Sequence, residues 1–263
     1  MSPRGTDGPR GCLIELAGRN AIVTGGSRGI GRATAILLAR AGASVGIAYR
    51  TRRAEAEEVA SRCRALGVHA WAFGGDLANV EEAEALFAKG DAEFDGLDIF
   101  VGNHGIWPPE DVALADMSDE QWHGTVDANL HSIFYTSRAA ARRLREGGRL
   151  ILVSSTAGQR GEAFHGDYAA TKGALISLVK GLCVELGSRG ITVNVVAPGW
   201  VDTEMAGSAF ADGGLERIAR GIPIGRVASA EDVAGPIVFL CSELGRHVTG
   251  EALNVNGGTV LVG

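Results

Sequence analysis

The sequence predicts an α/β fold in which a parallel sheet is covered by helices on both faces. Three observations lead to this prediction. Short apolar runs alternate with longer segments of helical periodicity along most of the 263 residues. The short runs are almost continuously apolar, as expected for strands that are buried on both faces. No repeat and no Pro/Ser-rich linker divides the chain, so we expect a flexible tail at residues 1–12 and a single domain over residues 13–263.

Seven segments are predicted to be strands, because each is a short apolar run bounded by turn-forming residues. In chain order they are residues 20–24, 44–49, 69–74, 97–102, 149–154, 191–196 and 251–255. The clearest helical patterns between them cover residues 31–42, 53–67, 118–144 and 229–244. Strand–helix alternation produces parallel strands, so the carboxyl ends of the strands should meet at one edge of the sheet, where such folds bind ligands.

Composition and charge exclude several classes of function. Apolar residues make up 46% of the chain and charged residues 21%, which is typical of a globular protein with a core. The formal net charge is −6, whereas nucleic acids and anionic membranes bind basic surfaces. The most apolar segment, residues 33–49, carries Arg40 at its centre and is too interrupted to cross a bilayer. We therefore expect neither a nucleic-acid nor a membrane partner.

The cysteines and histidines give further expectations. The four cysteines are scattered without a C-x-x-C pair, which is typical of free thiols in a reducing compartment. The first eleven residues lack the apolar run of a signal peptide. The six histidines form no H-E-x-x-H pattern. We expect a cytoplasmic protein without a metal site.

The turn after the first strand, TGGSRGIG at residues 24–31, is rich in glycine. A chain that passes this quickly from a strand into a helix needs residues without a Cβ. A pyrophosphate, in turn, needs free backbone N–H groups at a helix N-terminus. A purely structural turn also fits the pattern, but its place before a long helix favours dinucleotide binding. The binding residues expected in this turn are Gly25, Ser27, Arg28, Gly29, Ile30 and Gly31.

The end of the second strand indicates which dinucleotide is bound. NAD sites usually place Asp or Glu there to hold the ribose 2′-hydroxyl. Here Tyr49 takes that position, and Arg50, Arg52 and Arg53 follow it. A solvated surface would accommodate these arginines, but a 2′-phosphate would relieve three cations that lie at a helix N-terminus. We expect NADP(H), with NAD(H) as the alternative and with contacts from Arg28, Arg50 and Thr51.

Asp76 and Leu77 follow the third strand, near the place where an adenine would lie. Asp is also a favoured helix N-cap residue, and both roles are open at this point.

The segment GDYAATKGALISLVK places Tyr168 and Lys172 four residues apart at the start of an apolar helix. On a helix the two share one face, with Cβ atoms about 5–6 Å apart. An ammonium beside a phenol favours the phenolate, which would let Tyr168 exchange a proton with a substrate oxygen near neutral pH. Ser155 ends a predicted strand at the ligand-binding edge, where its hydroxyl can hold that oxygen.

Several motifs occur together in one order: TGGSRGIG, GNHG at 102–105, SSTAG at 154–158, YAATK at 168–172 and NVVAPGWVDTEM at 194–205. From about residue 14 to its end, the chain therefore resembles the short-chain dehydrogenase/reductase (SDR) family. Its last third is most similar to the 3-oxoacyl-[acyl-carrier-protein] reductase branch. The resemblance implies a Rossmann-type, doubly wound sheet of seven strands, usually in homotetramers.

The resemblance also implies a catalytic tetrad of Asn129, Ser155, Tyr168 and Lys172. Tyr168 would be the general acid in reduction, and Ser155 would hold the substrate oxygen. Lys172 would grip the nicotinamide ribose, and Asn129 would anchor a water relay. Further cofactor contacts are implied at Asn103, Gly105, Pro198, Gly199, Val201 and Thr203.

The chain departs from the family pattern at His104, where an alanine is usual. Either the ring is turned outward, or it adds a polar group near the site. A histidine in such a place would titrate near neutrality.

These observations predict NADPH-dependent reduction of a carbonyl to a secondary alcohol, with a 3-oxoacyl thioester as the first expectation. A sugar or secondary-alcohol dehydrogenase is the alternative, and a nucleotide-binding regulator without turnover is a weaker one. Candidate pocket residues are Trp107, Phe164, His165, Trp200, Met205 and Phe210. A group of arginines forms either a solvated helix end or a docking surface for an acidic acyl carrier: Arg138, Arg142, Arg143, Arg145 and Arg149.

Overall fold

A computed structural model describes residues 14–261, so the tail expected at residues 1–12 lies outside the described part. The sheet has seven parallel strands in the order β3-β2-β1-β4-β5-β6-β7. The strands are β1 Asn20–Thr24, β2 Ser44–Tyr49, β3 Ala70–Gly74, β4 Leu97–Gly102, β5 Leu144–Val153, β6 Thr192–Pro198 and β7 Ala252–Val255. The prediction of an α/β fold with a seven-stranded parallel sheet is confirmed.

The one strand with a substantially different boundary is β5, which begins at Leu144 rather than at residue 149. Leu144 pairs with Leu97 of β4, and the register then shifts before Ile99. Gly147 lies inside this irregular part with φ +70. The segment is polar and Gly-rich, so its sequence carries no strand pattern before the apolar run begins.

Helices connect the strands and cover both faces of the sheet. They are α1 Gly29–Arg40, α2 Arg53–Ala65, α3 Val80–Glu93, α4 Asp119–Val126, α5 Ser132–Arg143, α6 Ala157–Arg160, α7 Gly166–Leu186, α8 Gly207–Phe210, α9 Gly214–Arg220 and α10 Ala230–Cys241. The helix predicted over 118–144 is divided by a π-helical turn, Asp127–His131, which contains Asn129. Such turns are often found at functional sites.

Alternate residues of each strand point to opposite faces and build two cores. Val23 of β1 belongs to an apolar cluster with Leu38 of α1 and Ile237 of α10. Its neighbour Ile22 belongs to a second cluster with Phe87 of α3. One face is therefore covered by α1, α2 and α10, and the other by α3, α5 and α7. Because β1 lies next to β4, the connections on its two sides leave in opposite directions, which opens a cleft at the carboxyl ends.

Candidate active site

A cleft of about 440 Å³ lies at the carboxyl ends of β1, β2, β4, β5 and β6. Its wall contains Gly25 after β1, Arg50 after β2, Asn103 after β4, Ser155 after β5 and Gly199 after β6. Of the catalytic and cofactor-binding residues expected at the site, all line this cleft except Gly31 and Asn129. The structure thus brings the expected residues to one cleft, and the two exceptions pack against Gly25 and Gly105 of its wall, while the roles of these residues stay predictions.

The glycine turn leaves its backbone free toward the cleft. Gly25 has φ +64, and a Cβ at this position would lie 2.9 Å from the Cα of His104. A Cβ on Gly31 would lie 2.3 Å from the carbonyl oxygen of Gly25, so only glycine lets α1 start this close to the turn. The Asn103 amide donates to the carbonyl oxygens of Thr24 (3.1 Å) and Gly25 (3.2 Å). The result is a rigid, Cβ-free cradle at a helix N-terminus, which fits a pyrophosphate.

The end of the cleft beside β2 and β3 is rich in paired charges. Arg28 and Arg52 each place a guanidinium nitrogen 2.8 Å from the same carboxylate oxygen of Glu204. Arg50 lies 3.8 Å from Asp76. Arg50 and Arg52 after β2, together with Arg28 from the glycine turn, fit a 2′-phosphate, whereas Arg53 does not line the cleft. Sequence reasoning missed Glu204 because 176 positions separate it from Arg28.

Asp76 is not the N-cap of α3, which corrects one of its two expected roles. The cap is Asn79, whose side-chain oxygen accepts a hydrogen bond from the Glu82 backbone N–H at 3.0 Å. Asp76 instead accepts one from the Ala78 N–H at 3.1 Å and lies in the cleft wall.

Tyr168 and Lys172 lie on the first turns of α7 and both face the cleft. The Lys172 ammonium donates to the Val153 carbonyl at 2.9 Å and lies 5.8 Å from the centre of the Tyr168 ring. Burial lowers the pKa of Lys172 to about 8. Burial also raises the pKa of Tyr168 to about 12, although a hydrogen bond with Ser155 opposes the rise. The expected lowering by Lys172 was wrong for this arrangement, because burial disfavours the charged form of both groups.

Asn129 lies behind Lys172 and is fully buried. Its amide accepts from the Ile106 N–H at 2.7 Å and donates to the Ile106 carbonyl at 2.9 Å. A Cβ on Gly105 would lie 2.9 Å from Asn129 Oδ1 and 3.3 Å from Lys172 Nζ, so the three residues are tightly packed. The side chain of Asn129 thus fixes the loop after β4, and its role in a water relay stays a prediction.

The His104 ring points inward, which corrects the first interpretation of this residue. Its Nδ1 is 2.6 Å from Thr24 Oγ1 and its Nε2 is 2.8 Å from Ser132 Oγ. Ser132 donates its own hydroxyl proton to the Ala128 carbonyl, so it accepts from Nε2–H. In the neutral ring Nδ1 then accepts from Thr24 Oγ1, whose other acceptor, the Val101 carbonyl, is farther away at 3.3 Å. Burial and the nearby Lys172 charge lower the pKa of His104 to about 3. The expected titration near neutrality was therefore also wrong.

Asp167 is a residue of the site that sequence reasoning missed. It is buried and accepts hydrogen bonds from Thr125 Oγ1 at 2.8 Å and Gln121 Nε2 at 3.3 Å, both on α4. It also accepts from the Tyr168 backbone N–H at 2.8 Å. The carboxylate therefore fixes the start of α7 against α4, and with it the position of Tyr168. A carboxylate in the first turn of a helix is the signal that would have identified it.

The remaining end of the cleft is aromatic. Trp107 stacks on His165 at 4.7 Å and meets Trp200 edge-on at 6.1 Å, measured between ring centres. Trp107, Trp200 and Met205 line the cleft as expected, whereas Phe164, His165 and Phe210 do not. His165 and Phe210 instead support the two tryptophans from behind.

Glu162, which no sequence motif indicates, brings a carboxylate to this aromatic end. Burial raises the pKa of Glu162, while His165 and Arg160 oppose the rise. Glu162 lies close enough to Tyr168 to contribute to the raised pKa of the phenol. The aromatic end therefore offers both apolar faces and a hydrogen-bond acceptor.

Arginines at the end of α5 and the start of β5 pair with carboxylates of the same chain. Arg143 lies 2.9 Å from Asp91 and 3.0 Å from Glu84 on α3. Arg145 lies 3.0 Å from Asp95. Arg143 and Arg145 are therefore already paired within the chain, whereas Arg138 lies over the Phe134 ring.

Two further observations concern residues 14–261. No helix in this range combines the length and the apolar character needed to cross a membrane. Nor do three or more His, Cys, Asp or Glu side chains of this range come together as metal ligands would.

A glycine cradle at the β1–β4 junction, with Ser155, Tyr168 and Lys172 around one cleft, defines a dinucleotide-dependent oxidoreductase of the Rossmann type. A family model described as enoyl-(acyl carrier protein) reductase matches residues 25–260. The chain belongs to the short-chain dehydrogenase/reductase family.

Relatives with different activities are similar to the chain to the same degree. It is 40% identical over 251 residues to a 3-oxoacyl-[acyl-carrier-protein] reductase of Escherichia coli K12, covering 95% of this chain and 100% of the relative. It is also 40% identical over 250 residues to an L-rhamnose 1-dehydrogenase (NAD(P)(+)) of Azotobacter vinelandii, covering 92% and 97%.

A solved structure extends the likeness to three dimensions. A short-chain dehydrogenase from Burkholderia cenocepacia J2315, in complex with NADP, matches with a TM-score of 0.87 and 38% identity, over 93% of this chain and 99% of that one. With the cradle and the arginines described above, these findings identify the chain as an NAD(P)-dependent oxidoreductase whose cleft binds NADP(H).

Proposed function

We propose that the protein reduces a carbonyl to a secondary alcohol with NADPH, and that a 3-oxoacyl thioester is its substrate. The observation that carries this proposal is the convergence of Ser155, Tyr168 and Lys172 on one wall of the cleft. The cofactor would supply the hydride. The E. coli relative supports the choice of substrate.

The chain's own residues would supply the proton that the carbonyl oxygen takes up during reduction. The raised pKa of Tyr168, about 12, keeps the phenol protonated at neutral pH, as a general acid must be. Ser155 would hold the carbonyl oxygen beside this phenol. Lys172 is fixed by the Val153 carbonyl and, while protonated, would stabilise the phenolate that forms after proton transfer.

The proposal is tested by following NADPH absorbance with a 3-oxoacyl thioester, simple ketones and a panel of sugars with NADP⁺. The thioester should be turned over with the highest kcat/KM. Turnover of sugars alone would overturn the thioester assignment, and turnover of no carbonyl or alcohol would overturn the reductase assignment.

A sugar or secondary-alcohol dehydrogenase is the second candidate. The A. vinelandii relative supports it, and so does the end of the cleft that contains Glu162 and Trp107. A carboxylate accepts hydrogen bonds from hydroxyl groups, and an indole offers an apolar face to a sugar ring. The sugar panel separates the two candidates.

Arg28, Arg50 and Arg52 line the end of the cleft beside β2, where the 2′-phosphate is expected. NADPH, which carries this phosphate, should therefore be preferred over NADH. Replacing Arg50 by Asp should reduce or reverse this preference. Equal binding of NADH and NADPH by the original protein would contradict it.

We also propose a cytoplasmic homotetramer, as the family resemblance implies. Phe134 on α5 is 45% exposed and Val184 on α7 is 79% exposed, and an interface between copies would cover such apolar surface. Light scattering coupled to size-exclusion chromatography measures the mass, and a monomer at micromolar concentration would contradict the assembly.

An acyl carrier is a less favoured partner at the arginine group, because Arg143 and Arg145 already face carboxylates of the chain. A thioester on coenzyme A and one on a carrier protein should therefore react with similar kcat/KM.

A further inference from the structure

Glu204 holds the arginines that would receive the 2′-phosphate of NADP(H). One of its carboxylate oxygens lies 2.8 Å from Arg28 Nη1 and 2.8 Å from Arg52 Nη2. Arg28 belongs to the glycine turn after β1, whereas Arg52 is the residue before α2. A single carboxylate thus joins the two elements that enclose the end of the cleft beside β2. This is the end where the adenosine of the cofactor is expected, and it is called the adenosine end below.

The charges at this end are balanced within the chain. Arg52 also pairs with Glu55 at 3.1 Å, and Arg50 faces Asp76 at 3.8 Å. Three guanidinium groups therefore meet three carboxylates. A phosphate that enters this end must share or take over guanidinium groups already bound to carboxylates, and it carries a like charge to Glu204.

Glu204 differs from the other two carboxylates in its attachment. Glu55 lies in the first turn of α2, and Asp76 is fixed by the Ala78 N–H. Glu204 begins a short 3₁₀ turn, Glu204–Ala206, and its side chain is 55% exposed. Of the three carboxylates, it is the most exposed and the one that contacts two of the arginines.

We propose that Glu204 is a specificity-determining residue that competes with the 2′-phosphate for Arg28 and Arg52, and so limits the preference of the protein for NADPH over NADH. This inference rests on the proposed function, because it takes the adenosine end of the cleft as the phosphate-reading end. NADH has a hydroxyl in place of the 2′-phosphate, so it brings no 2′ charge that would compete with Glu204 for the two arginines.

The test is a fluorescence titration of the purified protein with NADPH and with NADH, which yields both dissociation constants without any substrate. Glu204→Gln should bind NADPH about five- to tenfold more tightly, while its affinity for NADH changes less than twofold. The gain should shrink in 0.5 M salt, because the charges involved are partly exposed. The matched control is Glu216→Gln, which removes an exposed carboxylate from α9 in the same segment and should change neither constant.

A double variant tests whether the effect of Glu204 on NADPH binding passes through Arg28. In an Arg28→Met background, Glu204→Gln should improve NADPH binding much less than it does in the original protein. An equal change for both dinucleotides, or weaker NADPH binding in Glu204→Gln, overturns the inference. Failure of the original protein to bind NADPH overturns the proposed function instead, so the two failures are distinguishable.

Discussion

The catalytic centre of the cleft and its two ends are built by different means. Lys172 is 4% exposed and Asn129 is fully buried, and both are hydrogen-bonded to neighbouring backbone groups. At the ends, Arg28 and Glu204 form ion pairs at the surface, and Glu162 is only partly buried. The centre therefore has one well-defined arrangement, whereas the ends depend on loops that can vary without affecting the sheet.

This difference separates chemistry from selectivity. The relatives in E. coli and A. vinelandii are equally similar to the chain but act on different substrates. Overall similarity therefore does not assign the substrate, and we expect the ends of the cleft in this chain to decide it.

The strongest way to test the comparison is to remove the phenol at the centre. Tyr168→Phe should lower kcat by about 10³-fold or more, since it removes the proton donor without changing the shape of the wall. NADPH affinity, measured by titration, should stay within about twofold. A variant that retains most of its activity would show that another group supplies the proton.

The second prediction concerns the buried ammonium. The pKa of Lys172 is lowered from 10.5 to about 8, so the unfolded chain binds more protons than the folded protein between these values. The free energy of unfolding of the nucleotide-free protein should therefore gain a contribution of roughly 2–3 kcal/mol as the pH rises through this window. Tyr168, with its raised pKa, opposes the gain only above about pH 10.

Urea denaturation at pH 8 and pH 10 measures this gain, and Lys172→Met is the control that should lack it. The same pH slope in both proteins would contradict the assigned contribution of Lys172.

A smaller effect is expected at His104, which joins Thr24 to Ser132. His104→Ala should lower the free energy of unfolding by about 1–3 kcal/mol, because two hydrogen bonds and the packing of the ring are lost. The pH–rate profile between pH 5 and 9 should keep its shape, since the pKa of about 3 leaves the ring neutral there. A profile that loses a limb near pH 6–7 would show that the imidazole titrates during turnover.

The smallest effect is expected at the aromatic end of the cleft. Glu162→Gln should raise KM for hydroxylated substrates by about three- to tenfold. KM for simple ketones, and kcat for both kinds of substrate, should stay nearly unchanged. Steady-state kinetics with a hydroxylated substrate and with a simple ketone, in the original protein and in the variant, measures both KM values. A large loss of kcat with every substrate would instead place Glu162 in the catalytic centre.

Most of the sheet could be predicted from the sequence, because its strands are apolar runs bounded by turns. The start of β5 was not predicted, since Leu144 is separated from the apolar run by polar residues and glycines. The π-helical turn was also not predicted, because helical periodicity over 118–144 does not show where one extra residue enters a turn.

The site was predictable where function imposes a fixed spacing along one element, as for Tyr168 and Lys172. It was not predictable where the contacts join distant loops, as for Glu204 with Arg28. The inward turn of His104 was missed because it depends on hydroxyl partners on β1 and α5. Only the assembled structure places these groups together.

The position of the cleft between β1 and β4 has a consequence for the lifetime of the protein. The pyrophosphate cradle is made early in the chain, but Pro198 and Gly199 arrive only with β6, so the complete binding surface exists only after both halves of the sheet have joined. A dinucleotide at 100 times its dissociation constant would then stabilise the whole assembled fold by about 2.7 kcal/mol. The supply of cofactor would thus set how long each molecule survives proteolysis, as well as how fast it works.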